Sequence, residues 1–163
     1  MTHVTVGFSK PKGLSPIASL IRLAEGTPYN HVFIKFREPV TGELLIFEAS
    51  YTVVYLVRAE QWEKSNEVVH DVRIYPTPAE HVDILTKGYT ALQKPYSFMS
   101  ILGHLVMKVG RLPRNPYKDR GRSYICSELV AHLLNIPNPE EQTPRSIFEH
   151  LQPTLPPDHD EVI

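Results

Sequence analysis

Short apolar runs fill the first half of the chain and predict β-strands, because each is about four to eight residues long and is bounded by turn-forming residues. The predicted strands are Val4 to Ser9, His31 to Phe36, Leu44 to Ser50, Thr52 to Val57 and Val68 to Tyr75. Pro39 and Gly42 lie between the second and third of these runs and are typical of a hairpin turn. We therefore expect those two strands to be antiparallel neighbours.

After Pro76 and Pro78 the apolar positions recur at the spacing of an α-helix rather than of a strand. An earlier helix is predicted to begin at Pro16, and the later ones are Ala79 to Leu92, Tyr96 to Val109, Cys126 to Asn135 and Pro144 to Leu151. Ser15 and Thr143 each precede a proline, as is typical of an N-cap followed by a first helical turn. Strands that mostly precede helices indicate an α+β fold, with an antiparallel sheet packed against helices.

Length and composition fit one globular domain. The chain has 163 residues, of which 42% are hydrophobic and 21% are charged, so it is long and apolar enough to bury a core. We expect this domain to span residues 1–152. Residues 153–163 are rich in proline and acidic side chains, which predicts a mobile tail. The formal net charge of −1 argues against broad nucleic-acid binding.

The sequence predicts neither an export signal nor a membrane span. Residues 1–8 lack a basic segment followed by a long apolar one, so we expect no signal peptide and a cytoplasmic protein. Association with a virion, or release by lysis, stays open. Phe98 to Val109 is the most apolar stretch, but it contains His104 and Lys108 and is shorter than the roughly 20 residues of a membrane span. Stable membrane insertion is therefore not expected.

The single cysteine of the chain, Cys126, lies where a helix is predicted to begin. One cysteine cannot form an internal disulfide. The unpaired backbone N–H groups of a first helical turn favour thiolate over thiol, and they can stabilise an oxyanion on an attacked carbonyl. Leu129, Val130, Leu133 and Leu134 follow at helical spacing and predict one apolar face. A buried structural cysteine is the alternative, because free cysteines are often buried.

A cysteine nucleophile needs a base within reach, and that base is usually held by a third polar group. The chain has eight histidines. His31 is the best placed of them, because it begins an apolar strand directly after a turn and a sheet edge can aim a side chain rigidly. The remaining histidines are predicted near the termini, at strand ends or within helices, at His3, His70, His81, His104, His132, His150 and His159.

Three segments together resemble a known family. They are His31-Val32 at the start of a strand, Phe47-Glu48-Ala49 at the end of the next strand, and Tyr124 to Val130 at the head of a late helix. This order resembles the circularly permuted branch of the NlpC/P60 cysteine peptidases, the YiiX-like permuted papain-fold hydrolases, in which the histidine strand precedes the cysteine helix. Segments around Gly88-Tyr89 and Thr143 to Ile147 are similar to elements that flank that helix, so the resemblance runs from about residue 27 to residue 150.

The resemblance implies a complete set of catalytic residues for a thiol hydrolase. Cys126 corresponds to the nucleophile, His31 to the base and Glu48 to the group that orients the imidazole. Oxyanion and substrate contacts are expected from the backbone N–H of Cys126 and from Tyr124, Tyr96 and Ser127. The chain departs from the family at Ile125 and Ser97, where aspartate is frequent. No cofactor and no metal ion are expected.

The resemblance further implies hydrolysis of an amide bond in a peptide, such as the peptidoglycan stem, through an acyl-enzyme. Two alternatives stay open: an acyl-lipid or thioester hydrolase or acyltransferase, and a non-catalytic module that binds a peptide in the same cleft. The expected partner is a peptide or an acyl compound, and the oligomeric state is left open. Aromatic side chains that suit either substrate are Tyr29, Tyr51, Tyr55, Trp62 and Tyr89.

Overall fold

The computed structural model describes residues 3–50, 52–96 and 123–152. Its strands are β1 Val4–Pro11, β2 His31–Arg37, β3 Leu44–Ser50, β4 Val53–Arg58 and β5 Asn66–Ile74. Its α-helices are α1 Pro16–Glu25, α2 Ala59–Trp62, α3 Pro78–Ala91, α4 Cys126–Leu133 and α5 Pro144–Leu151, with a short 3-10 helix at Pro139–Glu141. The predicted α+β class with an antiparallel sheet is confirmed.

The five strands form one sheet in the order β4-β3-β2-β1-β5, and every neighbouring pair is antiparallel. The predicted hairpin is present: β2 and β3 pair with Ile34 opposite Phe47. β4 continues the meander on the far side of β3, where Glu48 lies opposite Tyr55. β5 pairs with β1 at the other edge of the sheet.

The alternation of side chains gives the sheet two different faces. One face carries the main apolar core, which includes Val6, Ile34 and Phe47 and packs against the later helices. The opposite face carries a smaller cluster in which Phe33 and Ile46 pack against α2. Two hydrophobic layers therefore sandwich the middle of the sheet.

Gly7 allows the second cluster to form. The aromatic ring of Phe33 lies directly over Gly7 of the neighbouring strand, and a Cβ at that position would overlap the ring. On its other side the Phe33 ring packs against Trp62, with the ring centroids 4.4 Å apart. A side chain at residue 7 would push Phe33 toward Trp62.

The predicted N-caps are confirmed. The Ser15 hydroxyl accepts a hydrogen bond from the Ala18 N–H at 3.3 Å, and the Thr143 hydroxyl accepts one from the Ser146 N–H at 3.2 Å. The cysteine helix ends at Leu133, which is earlier than predicted. Asn135 has left-handed backbone with φ 57°, a conformation that cannot continue an α-helix.

Helix α2 was not predicted. Ala59–Trp62 is only 4 residues long, which is too short to show a helical period. The predicted helix from Tyr96 to Val109, apart from Tyr96 itself, lies outside the described residues, as does the tail at 153–163. No helix within the described ranges has both the length and the apolar character that crossing a membrane requires.

Candidate active site

The start of α4 is fixed by contacts that leave little freedom to Cys126. Ile125 has extended backbone and acts as the N-cap residue, and its N–H donates to Glu128 Oε2 at 3.0 Å. Leu129 and Val130 are fully buried one turn later and anchor the helix on the sheet. Cys126 is therefore the first helical residue, and only 7% of it is exposed.

The predicted apolar face of this helix packs in the core, but the polar side of its first turns is buried as well. Residues 126–131 are all buried, including the polar side chains of Ser127 and Glu128. The reason is that α4 packs against the sheet on one side and against α3, α5 and the 3-10 helix elsewhere. The Ser127 hydroxyl donates to the carbonyl of Gln142 at 2.7 Å. Since this contact uses the hydroxyl proton of Ser127, any contact with a substrate would fall to its backbone N–H.

His31 and Glu48 meet at one end of the sheet. His31 is the first residue of β2 and lies opposite Ser9 of β1. Its Nε2 atom is 3.0 Å from Glu48 Oε1 of β3, and the Glu48 side chain is almost completely buried. The imidazole also stacks against Phe33, with the ring centroids 6.4 Å apart. The imidazole is thus held by one carboxylate and one aromatic ring.

Cys126 and His31 lie close enough for their side chains to interact although they are far apart in sequence. Since Nε2 faces Glu48, Nδ1 is the ring nitrogen available to the sulfur. Burial disfavours a charged imidazole and alone would lower the pKa of His31. The interactions with Cys126, and then those with Glu48, outweigh burial and raise the pKa of His31 to about 10. The site therefore stabilises an imidazolium between a sulfur and a carboxylate.

Glu48 is held ionised in spite of its burial. Burial alone would raise the pKa of its carboxyl. The contacts with His31, and smaller contributions from the neighbouring Tyr55 and Trp62, more than compensate and hold the pKa of Glu48 below its ordinary value. The three side chains that the sequence predicts as nucleophile, base and orienting group thus form one continuous chain of contacts, Cys126 to His31 to Glu48.

The two predicted tyrosines flank the start of α4. Tyr96 and Tyr124 form a parallel β-bridge, and the Tyr124 N–H donates to the carbonyl of Pro95 at 2.9 Å. The Tyr124 ring is buried, lies 5.5 Å from the His132 ring and has the Lys94 ammonium 5.1 Å from its centroid. The bridge fixes the backbone that enters the cysteine helix.

The aromatic residues expected to line a cleft divide into different environments. Tyr29 is buried in the main core against Phe8 and Phe148. Trp62 is buried on the opposite face of the sheet, behind Glu48. Sequence reasoning therefore missed the role of Tyr55 and Trp62 as neighbours of Glu48. The hairpin register would have revealed Tyr55, because it lies opposite Glu48, but no sequence pattern marks Trp62.

The described residues also bear on metal binding and on a pocket elsewhere in the fold. No group of three His, Cys, Asp or Glu side chains within them could hold a metal ion. A pocket of about 360 Å³ is formed by β5, α3 and α5 around Leu133 to Ile136. That pocket lies at the opposite end of α4 from Cys126. It is therefore not part of the arrangement around His31.

No protein-family model and no curated protein matches this chain. The chemistry of the site accordingly has to be argued from its own side chains. Those side chains comprise a buried cysteine at a helix start, an imidazole in contact with it and a buried carboxylate 3.0 Å from the far nitrogen of that imidazole. A nucleophile, a base and an orienting group require this connectivity.

Proposed function

We propose that the chain is a thiol hydrolase that cleaves an amide bond in a peptide, with the permuted papain-like fold of the NlpC/P60 group. One observation carries the proposal: the contact chain from Cys126 through His31 to Glu48. A cysteine with a purely structural role does not require a histidine beside it. A histidine with no chemical role does not require a buried carboxylate as its partner. Burying that carboxylate costs free energy unless a partner compensates, so its position favours a chemical role.

The proposed reaction starts from an imidazolium–thiolate pair, in which the Cys126 proton has passed to His31 Nδ1, because the raised pKa of His31 favours the protonated imidazole. The resulting thiolate attacks the amide carbon, and the carbonyl oxygen becomes an oxyanion near the backbone N–H of Cys126. The imidazolium then protonates the amine as the carbon–nitrogen bond breaks, which leaves a thioester on Cys126. Water attacks this thioester with His31 as base, and the carboxylic acid product and the thiol are released.

Glu48 orients the imidazole and stabilises the imidazolium of the starting pair. Its Oε1 lies 3.0 Å from Nε2, which leaves Nδ1 as the ring nitrogen for the sulfur. Tyr124 and Tyr96 stay our candidates for oxyanion and substrate contacts, because their bridge lies directly before the cysteine helix. The order of histidine strand and cysteine helix along the chain supports the permuted assignment.

A direct assay tests the substrate class. The protein is incubated with purified peptidoglycan, with stem peptides and with phospholipid vesicles, and the products are identified by mass. We expect new amines and carboxylates from the peptide substrates, and none with the Cys126→Ala variant. Release of fatty acids alone would replace the amidase proposal with a lipid hydrolase, and an absence of product from all three substrates would favour a binding module.

A specific observation favours the acyl-lipid alternative. Helix α1 leaves large aliphatic side chains exposed, with Ile17 56%, Leu20 48% and Leu23 81% exposed. This helix is tied to the site, because Arg22 Nη1 donates to the Asn30 side chain at 3.3 Å and Asn30 directly precedes His31. An aliphatic surface on a helix that is hydrogen-bonded to the segment before His31 suits an acyl chain, so the vesicle arm of the assay decides between the two substrate classes.

A further inference from the structure

The buried space behind Glu48 contains two polar groups that the reaction above does not use. Only one carboxylate oxygen of Glu48 faces His31. The other, Oε2, is buried and has no hydrogen-bond partner of standard geometry within the described residues, and the indole Nε1 of Trp62 is in the same condition. One group has only lone pairs to offer and the other only a proton, so each is the complement that the other lacks.

The fold brings these two groups to the same face of the sheet. Glu48 alternates with Phe47 and Ala49, which belong to the main core, and therefore projects from the opposite face. Trp62 belongs to the cluster on that opposite face. Tyr55 lies directly across from Glu48 on β4, and its interaction with the carboxylate helps to lower the pKa of Glu48. Glu48 thus has one donor beside it in the sheet and a second donor on α2.

Packing fixes the indole in position. Trp62 is only 4% exposed. Its ring packs against Phe33, and Phe33 in turn lies against Gly7 and stacks with His31. The same aromatic ring therefore supports both the imidazole and the indole. A buried N–H left without an acceptor destabilises the fold, which favours an indole that points at the carboxylate.

We propose that Trp62 is a positioning residue for the triad, with its indole N–H donating to Glu48 Oε2 and the Tyr55 hydroxyl as the second donor. This inference rests on the proposed function. The two donors hold Oε1 toward His31 and keep the carboxylate ionised in a buried site. His31 is in turn held with Nδ1 toward Cys126. In this arrangement the tryptophan of α2 holds the Glu48 carboxylate from the sheet face opposite the main core.

The experiment measures the carboxyl titration of Glu48 by carbon NMR in Trp62→Phe, Tyr55→Phe and a matched control, Tyr75→Phe. Phenylalanine at position 62 keeps an aromatic ring near Phe33 but lacks the N–H donor and is smaller than the indole. We expect Trp62→Phe to raise the pKa of Glu48 by about 1, in line with one hydrogen bond to a charged group. Tyr55→Phe should raise it too, whereas Tyr75→Phe removes a hydroxyl from an exposed side chain and should not.

The indole N–H of the wild-type protein offers a second readout. The chain has a single tryptophan, so its indole N–H gives one NMR signal. That signal should shift with the same midpoint as the Glu48 carboxyl, and Glu48→Gln should abolish the shift. An indole signal that ignores Glu48, or a folded Trp62→Phe variant with the wild-type pKa of Glu48, would overturn the inference.

Alkylation of Cys126 separates failure of this inference from failure of the proposed function. If Trp62 positions the triad, Trp62→Phe slows alkylation at neutral pH several-fold. A wild-type cysteine that reacts no faster than a free thiol would refute the hydrolase, and with it the catalytic meaning of Trp62. A fast wild-type reaction that is unchanged in folded Trp62→Phe would refute only the positioning role.

Discussion

The two faces of the sheet are built from different kinds of side chain. The face toward α4 is a continuous apolar core, in which residues such as Ile34 and Phe47 are fully buried. The other face mixes apolar side chains with the buried carboxylate of Glu48 and the indole of Trp62. Removing apolar surface from water stabilises a fold, whereas a buried charge stabilises it little or not at all. The first face therefore supports the fold and the helix of Cys126, and the second holds the side chains that would orient the base in the proposed chemistry.

Cys126→Ala should separate these two functions most completely. We expect loss of all hydrolytic activity, because no other side chain supplies the nucleophile. The loss of unfolding free energy should be only on the order of 1 kcal/mol, since one sulfur is removed from a helix start. Activity assays and thermal melts of the purified variant measure both quantities.

Cys126→Ser is the companion variant, since serine keeps the shape of the side chain but is far harder to deprotonate. Little activity should remain in it. A large drop in melting temperature of Cys126→Ala, together with unchanged activity on a true substrate, would mean that Cys126 is a core residue and that the assignment is incorrect.

Leu133→Ala should give the reverse pattern from the same helix. Leu133 is 0% exposed and belongs to the apolar core. Its truncation should reduce the unfolding free energy by about 2–5 kcal/mol. The rate of Cys126 alkylation, measured well below the melting temperature, should stay near the wild-type value. A loss of cysteine reactivity as large as the loss of stability would show that the two regions are not separable.

Glu48→Gln should impair the site and leave the fold in place. The amide keeps the size of the side chain but removes the charge that stabilises the His31 imidazolium, so activity should fall by roughly tenfold or more. In Glu48→Gln the pKa of His31 should fall below about 10. Cys126→Ala alone should lower that pKa by more, because Cys126 contributes more to the raised pKa than Glu48 does. Nitrogen NMR of the imidazole measures both shifts. Wild-type turnover by Glu48→Gln would exclude its orienting role.

The dependence of stability on pH gives a smaller test. The raised pKa of His31 contributes stability that is complete below its unfolded value of 6.5 and is lost as the pH rises toward about 10. The lowered pKa of Glu48 contributes stability that is present above 4.5 and is lost on acidification. We therefore expect the melting temperature to be highest between about pH 4.5 and pH 6.5. Comparing the melting temperatures of wild type and His31→Gln above pH 6.5 isolates the contribution of His31. Identical pH dependence in the two proteins would contradict the assignment of His31.

Much of the fold follows from local patterns in the sequence. The strands at Val4 and Leu44 were predicted because apolar runs are bounded by turns, and the caps at Ser15 and Thr143 because a hydroxyl precedes a proline. The environment of Ser127 did not follow. Ser127 was expected to contact the oxyanion or the substrate, but its hydroxyl donates to the carbonyl of Gln142, directly after the 3-10 helix.

The site was predictable only in part. Cys126, His31 and Glu48 were selected by the order of three short segments, and the structure brings those side chains into contact. The sequence did not predict that Trp62 lies near Glu48. Trp62 lies on a helix of only four residues, and hydrophobic periodicity cannot predict a contact between such a helix and a distant strand. Long-range contacts of this kind depend on register and packing rather than on local pattern.

The most direct test of the central claim is the rate at which iodoacetamide alkylates Cys126 across a pH series. The chain has one cysteine, so a single modification reports on a single site. The account predicts fast alkylation at about neutral pH, where a free cysteine is largely unreactive thiol, and a much slower rate in His31→Gln. A rate that rises only at alkaline pH like that of a free cysteine, and is the same in His31→Gln, would contradict the account.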